Sequence, residues 1–552
     1  MLEVFCYSLI AVILFTPFGF VLTGDTNENL YFFSKELIFG SILLSFIAIL
    51  INFFFPLNLF VNTIILFVSI IVLIRKRKRY INLKFLKFII LISILLTFLI
   101  AESNVYRPDA GLYHLPFIGI LNSEKIILGL SNLHFRYGHT SIVQYLSAIY
   151  NNLIFKDNGI VFAQAIIACS VIINFSYQIH NYIKTKKYDF HLYLLFFILI
   201  FIFYKMNRYS EYGNDAPSHF LFFFLVSEVV LYLNNKNSSL VNNIILSLFV
   251  IQNKILLLPV VIFNFIGIKM NKIIKFFSDK NFYFLSFLFF IWITKNILIT
   301  GCVIYPIKES CIKKLNWTNI ENINEVAQAS EAWAKGYSDL ESEIREKIDY
   351  KVFLNNFYWV NAWSKKHLKL INEIMLPYLI LCLLIMTIFY FGSKKSFQKK
   401  NKNEFYLILA SFLTVLIWFL KAPLFRYGYS TIITFLSLIF ASALTTRNIN
   451  YKKINITIYI IIFLGFFTII SKNLFRITIT QNNYTNYPWP KYFSMTQENN
   501  KEIYLNKKLN YKEILVPKSG YCMYVKNICS HYDTINNLRL KKIKNYDSIL
   551  HQ

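Results

Sequence analysis

The chain has 552 residues, of which 56% are hydrophobic, 18% aromatic and only 16% charged, with a mean hydropathy of +0.48 and a formal net charge of +28. Soluble domains carry about 25% charged residues, so a string of ordinary soluble domains is excluded. The positive charge does not make nucleic acid an expected partner, because lysines that flank membrane helices on their cytoplasmic side account for it.

Continuously apolar stretches recur along the chain, among them residues 190–204 and 284–293. Each reaches or approaches the roughly 20 residues that cross an about 30 Å hydrocarbon core as a helix. The stretches do not alternate, which excludes the strands of a membrane barrel. The expected fold is an all-α integral membrane protein, a polytopic bundle of about 14 transmembrane helices with interfacial helices and outward loops. Residues 2–21 lack a basic leading region and a small-residue cleavage site, so they are expected to stay as a helix.

Basic clusters at 75–79, 184–187, 269–280, 394–402 and 452–453 are assigned to the cytoplasm. The loops at 102–138, 206–218, 300–370 and 421–430 and the tail after Ser471 then face outward, and parity puts Met1 outside. Residues 140–155 resemble a helix, yet as a crossing they would carry lysines 184–187 outside. With Gln144, Asn151 and Asn152 in it, this segment is expected to lie at the outer interface as an amphipathic helix. The chain thus divides into N-terminal membrane helices (1–101), an outward catalytic-type loop (102–158), membrane helices (159–299), an outward loop (300–372), membrane helices (373–472) and a small outward domain (473–552). Cys6, Cys169 and Cys382 fall within apolar helices, whereas Cys302/Cys311 and Cys522/Cys529 are close pairs in outward loops. Pairs confined to one face are read as disulfides on an oxidising, periplasmic or exterior side, since their spacings are not those of a zinc finger.

The most informative stretch, residues 102–138, follows a crossing directly and carries Asp109 between Pro108 and Ala110. Pro108 and Gly111 predict a turn into a short helix that places Asp109, Tyr113 and Pro116 near one side. Burial beside aromatic rings raises a carboxyl pKa and suits a general base; the alternative is a helix N-cap. The chain holds only 11 arginines among 57 basic residues, and Arg107, Arg136, Arg208 and Arg426 all lie in outward loops. Arginine is preferred where a planar fork holds a phosphate or carboxylate, which together with Asp109 suggests an anion site, although each alone also fits a snorkelling anchor. Residues 207–219 add Glu211, Asp215 and His219 at four-residue spacing, a possible divalent-metal face or a solvated turn. Residues 421–430 offer Lys421 and Arg426. Lys254, in an otherwise apolar region, predicts a helix break at 252–254 that brings it to the outer face or a cavity to meet a lipid phosphate; a snorkelling lysine fits equally well. Residues 319–350 read as acidic amphipathic helices, with Trp333 assigned to packing.

The string D-x-x-x-YHLP (Asp109, Tyr113, His114, Leu115, Pro116), the segment Gly129–Gly138 reading GL-x-N-x-H-x-R-x-G, the GC-x-x-YPI segment at 301–307 and the AP-x-x-RYG segment at 422–428 together resemble a bacterial branch of the GT-C superfamily of polytopic glycosyltransferases. That resemblance spans about residues 100–430. It implies sugar transfer with inversion from a polyprenyl-phosphate donor to an envelope glycan or lipid acceptor, in the bacterial inner membrane. It makes Asp109 the base, gives the phosphate to Arg208, Arg426 and Lys254, and lets Tyr113, His114 and His134 shape the sugar site. Glu211 or Asp215 would assist the acceptor or a divalent metal. Many superfamily members show adjacent acidic residues in this loop, whereas Asp109 stands alone, which leaves metal dependence open. The rival readings are a flippase or exporter of lipid-linked saccharide, which should carry charges within its helices, and a glycan polymerase. No Walker, dinucleotide-binding, HExxH or GxSxG pattern occurs, and no internal repeat is visible.

Overall fold

The computed structural model describes the chain apart from residues 25–26, 81, 101–108, 140, 208–211, 235–237, 269–275, 278, 392–393, 396–401, 446, 449–450, 480–503, 519, 531–534, 536 and 552. Its helices are α1 (Leu2–Thr23), α2 (Leu30–Asn52), α3 (Leu59–Arg75), α4 (Leu83–Ile100), α5 (Leu115–Ser123), α6 (Ile142–Ile149), α7 (Phe162–Lys184), α8 (Phe190–Lys205), α9 (Asp215–Leu233), α10 (Leu240–Asn253), α11 (Lys280–Thr300), α12 (Ile320–Ala334), α13 (Trp359–Tyr390), α14 (Lys402–Lys421), α15 (Tyr429–Thr445) and α16 (Tyr451–Ile479), with shorter turns between. Polar residues at the chain reversals start many of them. The side chains of Asn29, Asn58, Asp189, Ser239 and Asn319 each accept a backbone N–H of the following first turn.

Among the described residues, ten helices are long and apolar enough to cross a membrane, and 59–75, 190–205, 240–253 and 255–265 are shorter apolar helices. The protein is a helical, multi-pass membrane protein. The helices differ in what they face. The most apolar window at 156–184 is 94% buried inside the protein, whereas that of α16 is only 22% buried. Peripheral side chains such as Phe60 and Phe463 are apolar and exposed, which suits hydrocarbon rather than water.

The two ends of the bundle have different chemistry. At one end Asn52 donates to the Glu124 carbonyl, Asn214 to the Asn253 carbonyl and Asn473 to the Asn207 carbonyl, joining the loops expected to face outward. At the other end Glu36 accepts from Arg79 and Tyr80, Tyr188 stacks on Tyr451, and strand β1 (Lys394–Lys395) pairs with β2 (Arg447–Asn448). These contacts bring together three of the basic clusters, since Tyr188 and Tyr451 adjoin 184–187 and 452–453 and strand β1 belongs to 394–402.

Three expectations are corrected. Residues 142–149 do not lie on the surface: every residue of α6 is buried. Internal partners replace water for its amides, Ser141 and His114 for Gln144, and Asn122, Asp157 and Tyr524 for Asn151 just beyond the helix, while the buried Tyr145 hydroxyl has no hydrogen-bond partner among the described residues. The chain is not all helix either. Its C-terminal part forms two antiparallel hairpins, β3 (Tyr504–Leu509) with β4 (Lys512–Pro517) and β5 (Leu538–Ile543) with β6 (Tyr546–His551). Finally, Trp333 is 51% exposed, so only part of the side chain is packed. The Cys302–Cys311 and Cys522–Cys529 sulfurs lie at bonding distance, as their spacing predicted.

Candidate functional site

From Asp109 the chain enters a single π-turn, Ala110–His114, continuous with α5. Wide turns of this kind recur at functional sites because they re-aim side chains. Asp109 precedes the turn without capping it, which settles the alternative posed by the sequence. Its oxygens go to two arginines instead. Arg136 donates to Oδ1 at 3.1 Å and Arg426 to Oδ2 at 3.0 Å.

Each partner comes from a separate element. Arg136 sits on the tight 3₁₀ turn Phe135–His139, and its guanidinium lies 4.8 Å from the Tyr113 ring centre. Arg426 sits on the turn Phe425–Gly428 before α15 and extends to Asp215, with Nε 3.5 Å from Oδ2. Asp215, the first residue of α9, also accepts from Lys254 at 2.5 Å. Lys254 stands where the sequence predicted a helix break: α10 ends at Asn253, and Lys254 is extended with φ −152°. The ammonium lies 3.1 Å from the centre of the Tyr427 ring. The break is stitched in place. The Asn253 side-chain oxygen accepts from the Ser141 hydroxyl and the Val143 amide, and the Asn253 carbonyl accepts from Asn214.

Two carboxylates and three cations therefore form one chain, Arg136–Asp109–Arg426–Asp215–Lys254, at the end of the bundle that gathers the large loops. One positive charge is in excess among the described residues. Arg426 is the most open member, with 43% of its side chain exposed. The expected elevation of the Asp109 pKa does not occur. Burial pushes it up, but the charges of Arg426 and Arg136 outweigh that and hold it below the usual carboxylate range. His114 is buried; loss of water pushes its pKa down to about 4, so it is neutral and shares a 2.9 Å hydrogen bond with Gln144. Burial and the nearby Asp109 charge hold the Tyr113 hydroxyl protonated.

Other candidates fall elsewhere. His134 is buried behind Arg136, and its Nδ1 accepts the Arg136 amide at 3.3 Å, so it shapes the turn rather than an open surface. Lys421 faces Glu331 at 3.8 Å. Of the possible metal face, both Asp215 oxygens serve cations and His219 spends its nitrogens on Ser430 and the Arg426 carbonyl, while Glu211 lies outside the described residues. Among the described residues, no group of three acidic, histidine or cysteine side chains is arranged to hold a metal ion. Arg107, Arg208 and Glu211 lie outside the described residues. Sequence reasoning gave no role to Tyr427, Gln144 or Asn253. Only Tyr427 had a signal, as the aromatic residue following Arg426.

Residues 1–433 match the model of DUF8201, a domain of unknown function. The chain belongs to that family. No curated protein and no solved structure matches it. The DUF8201 match contains the whole ion-paired cluster from Asp109 to Arg426, while the C-terminal hairpins lie beyond it.

Proposed function

We propose that this DUF8201 protein is a GT-C-like membrane glycosyltransferase that moves a sugar, with inversion, from a polyprenyl-phosphate donor to a glycan or lipid acceptor. The large loops and C-terminal hairpins would face the periplasm or exterior of a bacterial inner membrane. The observation that carries this reading is the sharing of Asp109 between Arg136 and Arg426, within a cluster carrying excess positive charge at a bundle end. A phosphate diester has the charge and the oxygen geometry to take both guanidiniums. Its arrival would loosen their hold on Asp109 and raise the basicity of that carboxylate. The acceptor oxygen then bonds to the anomeric carbon as the bond from that carbon to the phosphate oxygen breaks. The acceptor proton passes to Asp109, and the electron pair leaves with the polyprenyl phosphate, whose charge Arg426 and Lys254 stabilise.

The test is transfer by the purified protein from a polyprenyl-phosphate sugar. Asp109→Asn keeps the shape but removes the base, and its turnover should fall by about 10²–10⁴-fold. An undiminished rate in that variant would remove Asp109 from the mechanism.

One observation favours a lipid-linked saccharide transporter as the second reading. Lys35, Glu36 and Glu228 are charged residues buried within membrane helices at the bundle end opposite Asp109. Vesicles loaded with lipid-linked sugar separate the two readings, because a transporter moves the intact donor between leaflets and releases no polyprenyl phosphate.

A further inference from the structure

Cys522 and Cys529 close a short loop hung from the β3–β4 hairpin, where the Leu515 amide donates to the Ile528 carbonyl and the Ser530 amide to the Leu515 carbonyl. The loop touches both elements that carry the Asp109–Arg136 pair. The Met523 amide donates to the Gly111 carbonyl at 2.9 Å, two residues after Asp109. The buried Tyr137 hydroxyl, next to Arg136, donates to the Cys529 carbonyl at 2.8 Å, and the Ser530 hydroxyl donates to the Leu133 carbonyl at 3.1 Å. Tyr524 is driven into the protein, where its hydroxyl lies 2.9 Å from Asn122 Oδ1 and 2.6 Å from Asn151 Nδ2. That anchors the loop to α5, the helix continuing from Asp109, and to the end of α6. Contact with α5 is backbone to backbone: at Gly119 any Cβ would overlap the Val525 carbonyl. The opposite face of the Arg136 turn meets a second disulfide-closed loop, through the Tyr305 ring packed on Gly138 and edge-on to His139 at 4.9 Å.

We infer that the 522–529 loop is a clamp that fixes the separation of Asp109 and Arg136, with Tyr524 and Tyr137 as positioning residues. The loop bonds to main-chain atoms on both sides of the ion pair, so its own rigidity sets how far apart the two elements stand. Closing it with a disulfide removes the slack that an open loop would permit. Among the described residues, the contacts of the Cys302–Cys311 loop with the pair's elements are those to the arginine turn. The consequence for sugar transfer rests on the proposed glycosyltransfer; the geometric content does not.

Two measurements on the full chain test this and keep the two ideas apart. Amide exchange of peptides 109–123 and 129–139 is compared with that of α9, for the native protein, Cys522→Ser/Cys529→Ser, Cys302→Ser/Cys311→Ser and Tyr524→Phe. Opening the clamp should speed exchange about tenfold in both peptides while α9 is unchanged, and opening the other loop should speed 129–139 alone. Tyr524→Phe, which keeps both disulfides, should speed 109–123 about threefold or more, the weight of one lost buried hydrogen bond. Transfer from the polyprenyl-phosphate sugar is then read as kcat against donor KM. A clamp variant should lose about tenfold in kcat with KM within about twofold, since misplacement by a fraction of an ångström acts on the reacting geometry. If the native protein transfers no sugar yet the exchange pattern appears, the clamp stands and the glycosyltransfer reading fails. If Cys522→Ser/Cys529→Ser leaves both peptides as protected as in the native protein, the clamp is overturned. Should that variant also expose α9, Tyr524→Phe decides, and unchanged exchange at 109–123 overturns the clamp.

Discussion

Lys35 of α2 and Glu228 of α9 meet at 2.6 Å with side chains 1% and 0% exposed, and the Tyr31 hydroxyl donates to the other Glu228 oxygen at 2.9 Å. At an effective dielectric of about 20, Coulomb attraction at this distance is about 6 kcal/mol, much of it offset by taking two ions out of water. Replacing Lys35 by Met removes one charge and leaves the other buried, which costs about 3–5 kcal/mol. Replacing both, as Lys35→Met with Glu228→Leu, removes the desolvation along with the attraction. The pair then differs from the native protein by about 1 kcal/mol, the weight of the Tyr31 hydrogen bond. Thermal unfolding in detergent of the native protein, both single variants and the double variant closes the cycle. The expected order is two crippled singles and a double variant close to native. A Lys35→Met protein as stable as the native one, or a double variant no better than either single, would refute the reasoning. The double variant also separates the rival functions. An enzyme working at the opposite end should keep its transfer rate, whereas a transporter using this pair as a moving charge should lose transport while staying folded.

Two further outcomes follow from the charges around Asp109. Because Arg136 and Arg426 hold that carboxyl below its ordinary range in the donor-free protein, the acid limb of kcat/KM should lie below about pH 4. The 43% exposed Arg426 is partly screened by water, yet its charge lowers the Asp109 pKa, so Arg426→Gln should move the acid limb to higher pH. A limb that stays in place would show that Arg426 does not set the state of Asp109. His114 titrates at about 4 in the folded protein against about 6.5 unfolded, so the unfolded chain binds the extra proton between these values. Its share of stability is complete above pH 6.5 and is lost as pH falls toward 4, by about 3 kcal/mol in all. Denaturation midpoints of native protein and His114→Gln across pH 4 to 7 check this, and the variant should show the flatter curve.

Part of the site was legible as residue types in the wrong company. Asp109, Arg136, Asp215, Lys254 and Arg426 are each conspicuous in the sequence, because a scarce arginine or a charge in an apolar setting needs a reason. Their partners were not legible: Asp109 and Arg426 are 317 positions apart and joined only by packing. Lys254 reads as a lipid-phosphate ligand, and only packing shows that α9 delivers Asp215 beside it. The pKa of Asp109 runs opposite to the sequence expectation for the same reason, since burial is visible in a sequence and two guanidiniums arriving from distant turns are not. Lys35, Glu36 and Glu228 carry no signal of their own, because each sits among residues that look like ordinary membrane helix.

The sequence by itself determined the helical membrane class, the break at Lys254, the pairing of cysteines by proximity and the sorting of lysines to one end. These follow from local chemistry: runs of apolar residues, a charge that interrupts them, and short separations along the chain. Only the tertiary structure decided that residues 142–149 are buried, that the C-terminal tail is β-structure clamped onto the Asp109 and Arg136 elements, and which charges neutralise which. Burial of a polar helix depends on hydrogen-bond partners tens to hundreds of residues away, and no local pattern records whether they will be there.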